Sequence, residues 1–245
     1  MSQFSLPRRF MLLGLLVLVL AGCNAGYQQI DGQWKYVTID SGYGRRENEI
    51  PGVDQATLKP FKGTSFAADK NQVYYEGRPL AGADAATFRQ LRSPYWADSK
   101  RVYWYKEPIP GADPKSFDYV RGFWTRDANN FYYGADPVNP KDPNTFRVVN
   151  ANWARDSQWY YPANGNRHIP IKELDYASFQ ILKAGWAKDC CRVFYFDRVV
   201  EGADPASFEV INDVRGRDKA FYYLTGFKQR TVAEEEELKR RTGGK

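Results

Sequence analysis

The chain repeats itself every 29 residues, and that period constrains the fold before any single motif does. The runs Phe66-Ala-Ala-Asp69-Lys-Asn-Gln-Val73-Tyr74-Tyr75 and Tyr95-Trp-Ala-Asp98-Ser-Lys-Arg-Val102-Tyr103-Trp104 show it first. An aromatic at Phe66, Tyr95, Trp124, Trp153 and Trp186 stands three residues before Asp69, Asp98, Asp127, Asp156 and Asp189, and Asp218 continues the series with Arg215 in the aromatic slot. A second register runs beside it. Ile50, Leu80, Ile109, Val138, Ile171 and Val200 each precede by four residues a second acid, at Asp54, Asp84, Asp113, Asp142, Asp175 and Asp204. Four residues further comes a large apolar side chain, Leu58, Phe88, Phe117, Phe146, Phe179 or Phe208. The only slip is a four-residue insertion around Pro162–Arg167. Such self-similarity marks an architecture in which each unit buries its apolar surface by stacking on its neighbours.

Each unit reads as strand, turn, strand, turn. Segments such as Phe146-Arg-Val148-Val149 are rich in aromatic and β-branched residues. Asp69-Lys70-Asn71-Gln72 and its equivalents suit a hairpin turn in which Asp accepts backbone N–H groups. Val73-Tyr74-Tyr75 or Phe131-Tyr132-Tyr133 is the return strand. Asp113 and Asp204 are placed to cap a single helical turn opened by Pro114 or Pro205. The expectation is an all-β tandem repeat of about six hairpin units with one-turn helices between them, stacked as a solenoid-like or curved array over residues 50–230. A charged C-terminal tail, 231–245, has acids early and bases late, as a short helix prefers.

The amino terminus carries a separate message. Arg8 and Arg9 precede an apolar run, Phe10–Ala21, too short to span a bilayer of about 30 Å as a helix. It reads as the hydrophobic segment of a signal peptide over 1–22. The run ends in Leu20-Ala21-Gly22-Cys23, which resembles the lipobox of bacterial lipoproteins. That resemblance implies cleavage before Cys23, acylation of Cys23 with palmitate-type chains, and a membrane anchor through that lipid. Asn24 stands where enteric lipoproteins retained in the inner membrane carry Asp, so it also implies an outer-membrane protein facing the periplasm. Residues 23–49 are then the lipidated N-terminus and linker.

The pattern Asp69-Lys70-Asn71-Gln72-Val73-Tyr74-Tyr75, followed by Gly82-Ala83-Asp84 and Phe88, resembles the DKNYY repeat family of bacterial envelope proteins over about Ile50–Tyr223. That family brings no agreed catalytic residues. Pro162 in the fourth return strand, the insertion beside it and Lys141 in place of the Gly-Ala pair depart from the pattern.

Little in the chain points to catalysis. Its one histidine, His168, sits in the insertion, so neither a two-His metal site nor a Ser-His-Asp triad with a spare base is available. The acids recur once per unit at turn and cap positions, which speaks for structural capping over calcium binding, where six to eight oxygens are needed. No enzyme and no cofactor is expected. Removing Arg8 and Arg9 leaves 33 Lys and Arg against 29 acids, a net of +4, interleaved rather than striped, and no nucleic-acid partner is expected. Cys190 and Cys191 occupy variable turn positions, open to a vicinal disulfide, to a bridge with another chain, or to no role.

One ring of each strand pair should face outward, because strand neighbours point to opposite faces. Tyr75, Trp104 and Tyr133, 29 residues apart, form the candidate binding stripe, with Tyr74, Tyr103 and Tyr132 inward. The functional expectation is a non-catalytic, lipid-anchored protein-binding module, in one concrete form an immunity-type protein that blocks a toxin acting in the periplasm. The alternative is a glycan or peptidoglycan binder using exposed rings.

Overall fold

The computed structural model describes residues 25–163 and 174–242, and within them the protein is all-β apart from one C-terminal helix. Cys23, His168 and Ile171 lie outside the described residues. Seven small antiparallel sheets follow one another along the chain. No helix among the described residues is long and apolar enough to cross a membrane.

The first sheet corrects the linker assigned to 23–49. Strands β1 (Gly26–Ile30), β2 (Gln33–Asp40) and β3 (Gly44–Glu49) pair in that order. Asp31-Gly32 closes β1 onto β2 with both φ angles positive, 51° and 77°, the geometry that two-residue hairpins require. The sheet exists because the first repeat unit would otherwise expose an apolar face. Tyr27, Trp34 and Tyr36 cover Ile50, Leu58, Ala67 and Tyr74, so it serves as an N-terminal cap of the array.

Six repeat units follow. The first holds β4 (Lys59–Pro60), β5 (Phe66–Ala68), β6 (Val73–Tyr75) and β7 (Arg78–Pro79), paired in sequence order. Sheets spanning 89–108, 118–138, 180–199 and 209–231 repeat this four-stranded plan, and the fourth unit shows three strands, Arg147–Asn150, Trp153–Arg155 and Tyr160–Pro162, among the described residues. Between units the Asp-x-x-Ser/Thr segment forms one hydrogen-bonded turn, as where the Thr87 N–H reaches the Asp84 carbonyl at 3.2 Å. Helix α1 (Val232–Arg241) begins at Thr231, whose hydroxyl accepts from the Glu234 N–H while Glu234 reaches back to the Thr231 N–H. It buries no residue.

The hydrophobic cores lie between consecutive sheets. Phe66 and Val73 of the first unit pack with Phe88, Trp96 and Tyr103 of the second. Tyr95, Ala97, Val102 and Ile109 of the second unit pack with Tyr132 of the third. The same plan joins the third to the fourth, the fourth to the fifth and the fifth to the sixth. Every internal sheet is therefore covered on both faces.

This arrangement corrects the expected outward stripe. Neighbouring rings do point to opposite faces, and Tyr74, Tyr103 and Tyr132 are buried as expected. Their sisters, however, are wholly or partly covered and form no open stripe. Tyr133 is only 5% exposed, with Trp124 as its cross-strand partner at 4.8 Å between centroids. Tyr75 and Trp104 are half-buried, edge-on to Phe66 at 4.9 Å and to Tyr95 at 5.0 Å.

Candidate functional site

The recurring acids are fully engaged in the fold. Asp98 accepts on Oδ1 from the N–H groups of Lys100 and Arg101, both at 2.7 Å, and on Oδ2 from the Tyr103 hydroxyl at 2.7 Å and the Asp84 N–H at 3.1 Å. Asp69, Asp127, Asp156 and Asp218 repeat the set with Tyr74, Tyr132, Tyr161 and Tyr223. Burial pushes each of these carboxyls up, but the converging N–H and O–H donors outweigh it and hold all of them below the ordinary Asp value. Their tyrosine partners are raised, by burial first and by the adjacent carboxylate second. The fifth unit has Phe194 at the tyrosine position, and there Arg192 Nη2 lies 3.3 Å from Asp189 Oδ2.

The second acids hold the turn between units. Asp84 accepts from the Ala86 N–H, the Thr87 hydroxyl and the Ser99 hydroxyl, while Thr87 Oγ1 accepts the Ser99 N–H. These bonds lower its pKa, the Thr87 hydroxyl most. These carboxylates serve the fold, tying the turn between units together.

Cys190 occupies the position of Ser99. Its N–H donates to Ser178 Oγ at 2.9 Å, the Cys191 N–H donates to Asp189 Oδ1 at 2.9 Å, and both thiols are free and exposed. Contact with Cys191 above all, with Asp175 adding, pushes the Cys190 thiol up to about 11. No group of three or more His, Cys, Asp or Glu side chains among the described residues is arranged to hold a metal ion.

Of the three stripe residues, Tyr75 lines a substantial concavity. A groove of about 790 Å³ runs between the first sheet and the first repeat unit. The β2–β3 register places Tyr36 opposite Asn48 and Thr38 opposite Arg46, and these four side chains line one wall. Tyr75, Glu76, Arg78 and Lys106 line the other. The junction is bolted from below: Tyr27 Oη accepts the Gly77 N–H at 3.0 Å, and its own hydroxyl points to the Ser65 carbonyl at 3.4 Å. Gly77 has φ +74°, and a Cβ there would lie 2.5 Å from Tyr36 Cβ, so glycine alone permits the close approach.

The groove continues into an aromatic ridge that the 29-residue stripe did not reveal. Lys106 Nζ stands 5.9 Å over the Tyr75 ring. Beside it Tyr105 is edge-on to Trp104 at 5.5 Å, and Trp104 is edge-on to Phe123 at 4.9 Å. Tyr105 and Phe123 are 50% and 45% exposed. Tyr105 also holds φ +50°, a left-handed conformation that costs a bulky residue roughly 1–2 kcal/mol. Both sit in turns, where the repeat register varies most. The slot varies from unit to unit, with Glu76, Gly134, Ala163, Phe196 and Thr225 standing where Tyr105 does, and the fold holds Glu76, Phe196 and Thr225 in the same left-handed conformation.

The DKNYY family model matches the chain twice, over residues 23–107 and 95–227. No curated protein and no solved structure matches it.

Proposed function

The chain belongs to the DKNYY family, and we propose that it is a non-catalytic binding module of the bacterial envelope, tethered through lipid on Cys23 to the periplasmic face of the outer membrane. Its partner in this reading is a protein, and its concrete form is an immunity-type lipoprotein that occupies a toxin reaching the periplasm. The observation that carries the binding role is the ridge Trp104-Tyr105-Phe123 adjoining the groove at Tyr75. Large rings left exposed on turns are the anchors that protein interfaces use. The acids support the same reading, because they are occupied by the fold's own donors. The lipid anchor is supported by Arg8-Arg9, the short apolar run and Leu20-Ala21-Gly22-Cys23.

The test pairs two variants in cells challenged with a periplasm-directed toxin, taken from the neighbouring genes where one is encoded there. Wild type should protect the cells. Tyr105→Ser with Phe123→Ser should abolish protection while the melting temperature is held, since neither ring is core. Cys23→Ser should remove the protein from the membrane fraction and leave its repeats folded. Full protection by the Tyr105/Phe123 variant would take the binding surface off the ridge, and no protection by wild type together with co-sedimentation with purified cell-wall sacculi that this variant eliminates would replace the protein-binding reading with the glycan-binding one.

A further inference from the structure

We propose that the groove between the first sheet and the first repeat unit binds an acidic, extended polypeptide segment of the partner, a proposal that rests on the protein-binding reading above. The first evidence is charge. Residues 59–126 carry 12 Lys and Arg against 7 Asp and Glu, a net of +5, although the whole chain without Arg8 and Arg9 is only +4. Of those seven acids Asp69 and Asp98 are buried, and Asp84 and Asp113 are held in inter-unit turns. The cationic excess is therefore on the surface.

Two of those cations, Arg78 and Lys106, are exposed along the walls of the groove, where Arg46 of the first sheet joins them. Neither Arg46 nor Arg78 forms an ion pair among the described residues; Arg46 lies over the exposed Tyr43 ring at 4.4 Å, and Lys106 has only the exposed Glu107 at 3.9 Å. Two acids share the lining. Glu49 is matched by Lys35 at 3.5 Å, which leaves Glu76 against three cations. Between the charges the floor is the half-buried rings of Tyr36 and Tyr75.

This mixture selects a class of ligand. A polymer with a negative charge on every unit, such as nucleic acid or a uronic-acid polysaccharide, would have to bring charge against Glu76 on the same walls. A peptide can place carboxylates opposite Arg46, Arg78 and Lys106 and an apolar side chain on the tyrosine floor. The Tyr27–Gly77–Tyr36 junction keeps the groove formed before the ligand arrives, which lowers the ordering cost of binding.

The experiment is fluorescence anisotropy of a labelled synthetic peptide of alternating Glu and Leu, titrated with the full chain in detergent micelles. The Glu peptide should bind, and its Gln counterpart should bind at least about tenfold more weakly. Arg46→Gln, Arg78→Gln and Lys106→Gln together should weaken the Glu peptide about tenfold or more, with an unchanged melting curve. Arg126→Gln, Arg147→Gln and Lys183→Gln, which remove the same charge elsewhere, should change it by less than about twofold. No binding of the Glu peptide, equal loss in the two triple variants, or displacement by polygalacturonate as effective as by unlabelled peptide would each overturn the proposal. Failure here is separable from failure of the broader reading, which is tested in cells through Tyr105 and Phe123. A chain that protects through its ridge but ignores acidic peptides would refute the groove assignment alone.

Discussion

The buried Asp–Tyr pair at the centre of five of the six units should be the largest polar contribution to the fold, and the second unit is the place to measure it. Asp98 is fully buried and accepts four hydrogen bonds, from Lys100, Arg101, Tyr103 and Asp84. In Asp98→Ala the N–H groups of Lys100 and Arg101, on an exposed turn, turn to water at little cost. The Tyr103 hydroxyl, on a side chain 1% exposed, and the Asp84 N–H are stranded. At roughly 1–3 kcal/mol for each unsatisfied buried donor, the variant should lose about 3–5 kcal/mol. Tyr103→Phe removes one donor and leaves the carboxylate with three, so it should cost only about 1 kcal/mol. The fifth unit makes that substitution naturally at Phe194. In the double variant the stranded hydroxyl is gone, so Asp98→Ala in the Tyr103→Phe background should cost about 1–3 kcal/mol less than in wild type. Urea unfolding of the four proteins closes the cycle. A coupling below about 0.5 kcal/mol would mean that Tyr103 and Asp98 do not depend on each other.

Because every buried Asp of the array is depressed below its ordinary value, folding should be linked to pH in the acid range. The carboxylates are charged in the native state down to lower pH than in the unfolded chain, so their contribution is complete above the unfolded value of about 3.9 and is lost as pH falls through the native values. Thermal melts should be flat in this contribution near neutrality and drop steeply below about pH 4, and a melting temperature unchanged down to about pH 2 would contradict the assignment. Phe88→Ala should cost about 3–5 kcal/mol, since Phe88 stacks on Trp96 at 5.2 Å and also touches Phe66 of the previous unit. Hydrogen exchange should then rise in both the 59–79 and 89–108 sheets, and protection lost in only one would argue against nearest-neighbour coupling. Phe117→Ala, at the same repeat position but half-buried, should cost clearly less in the same urea assay.

What was legible in the sequence and what was not divides along a physical line. Local chemistry could be read: the Asp69-Lys70-Asn71-Gln72 turn, the cap at Asp84 and the alternation of Tyr74 and Tyr75 all depend on residues a few positions apart. Contacts between registers could not. The bond from the Asp84 N–H to Asp98 spans 14 residues, and the Tyr103 hydroxyl reaches Asp98 across the hairpin. The tyrosine five residues after each buried acid, present in five of six units, was the visible trace of that pairing. The outward stripe failed for a related reason, since alternation tells which rings share a face but not whether the face is covered. The first sheet was missed because it lies outside the 29-residue register, although Asp31-Gly32 between two alternating runs is a strong hairpin signal.

That contrast explains where a binding surface can arise in such an array. A regular unit must cover both faces of its sheet with its neighbours, so the repeated strand positions are consumed by stacking; Tyr133, buried against Trp124, shows how completely. Only features that break the repeat are free to specialise. In this chain they include the exposed turn residues Tyr105 and Phe123, in slots whose occupants vary from unit to unit, and the junction where the non-repeating first sheet meets the array at Gly77 and Tyr36. The cations Arg46, Arg78 and Lys106 gather at the same junction. If the repeats are scaffold and the exceptions are site, then exchanging Tyr105-Lys106 for the Glu76-Gly77 turn of the first unit, whose Glu76 holds the same left-handed φ, should preserve the stacked core and its melting temperature, abolish partner protection and weaken acidic-peptide binding. Retention of both activities in that turn-swapped protein would place the recognition surface in the regular units after all.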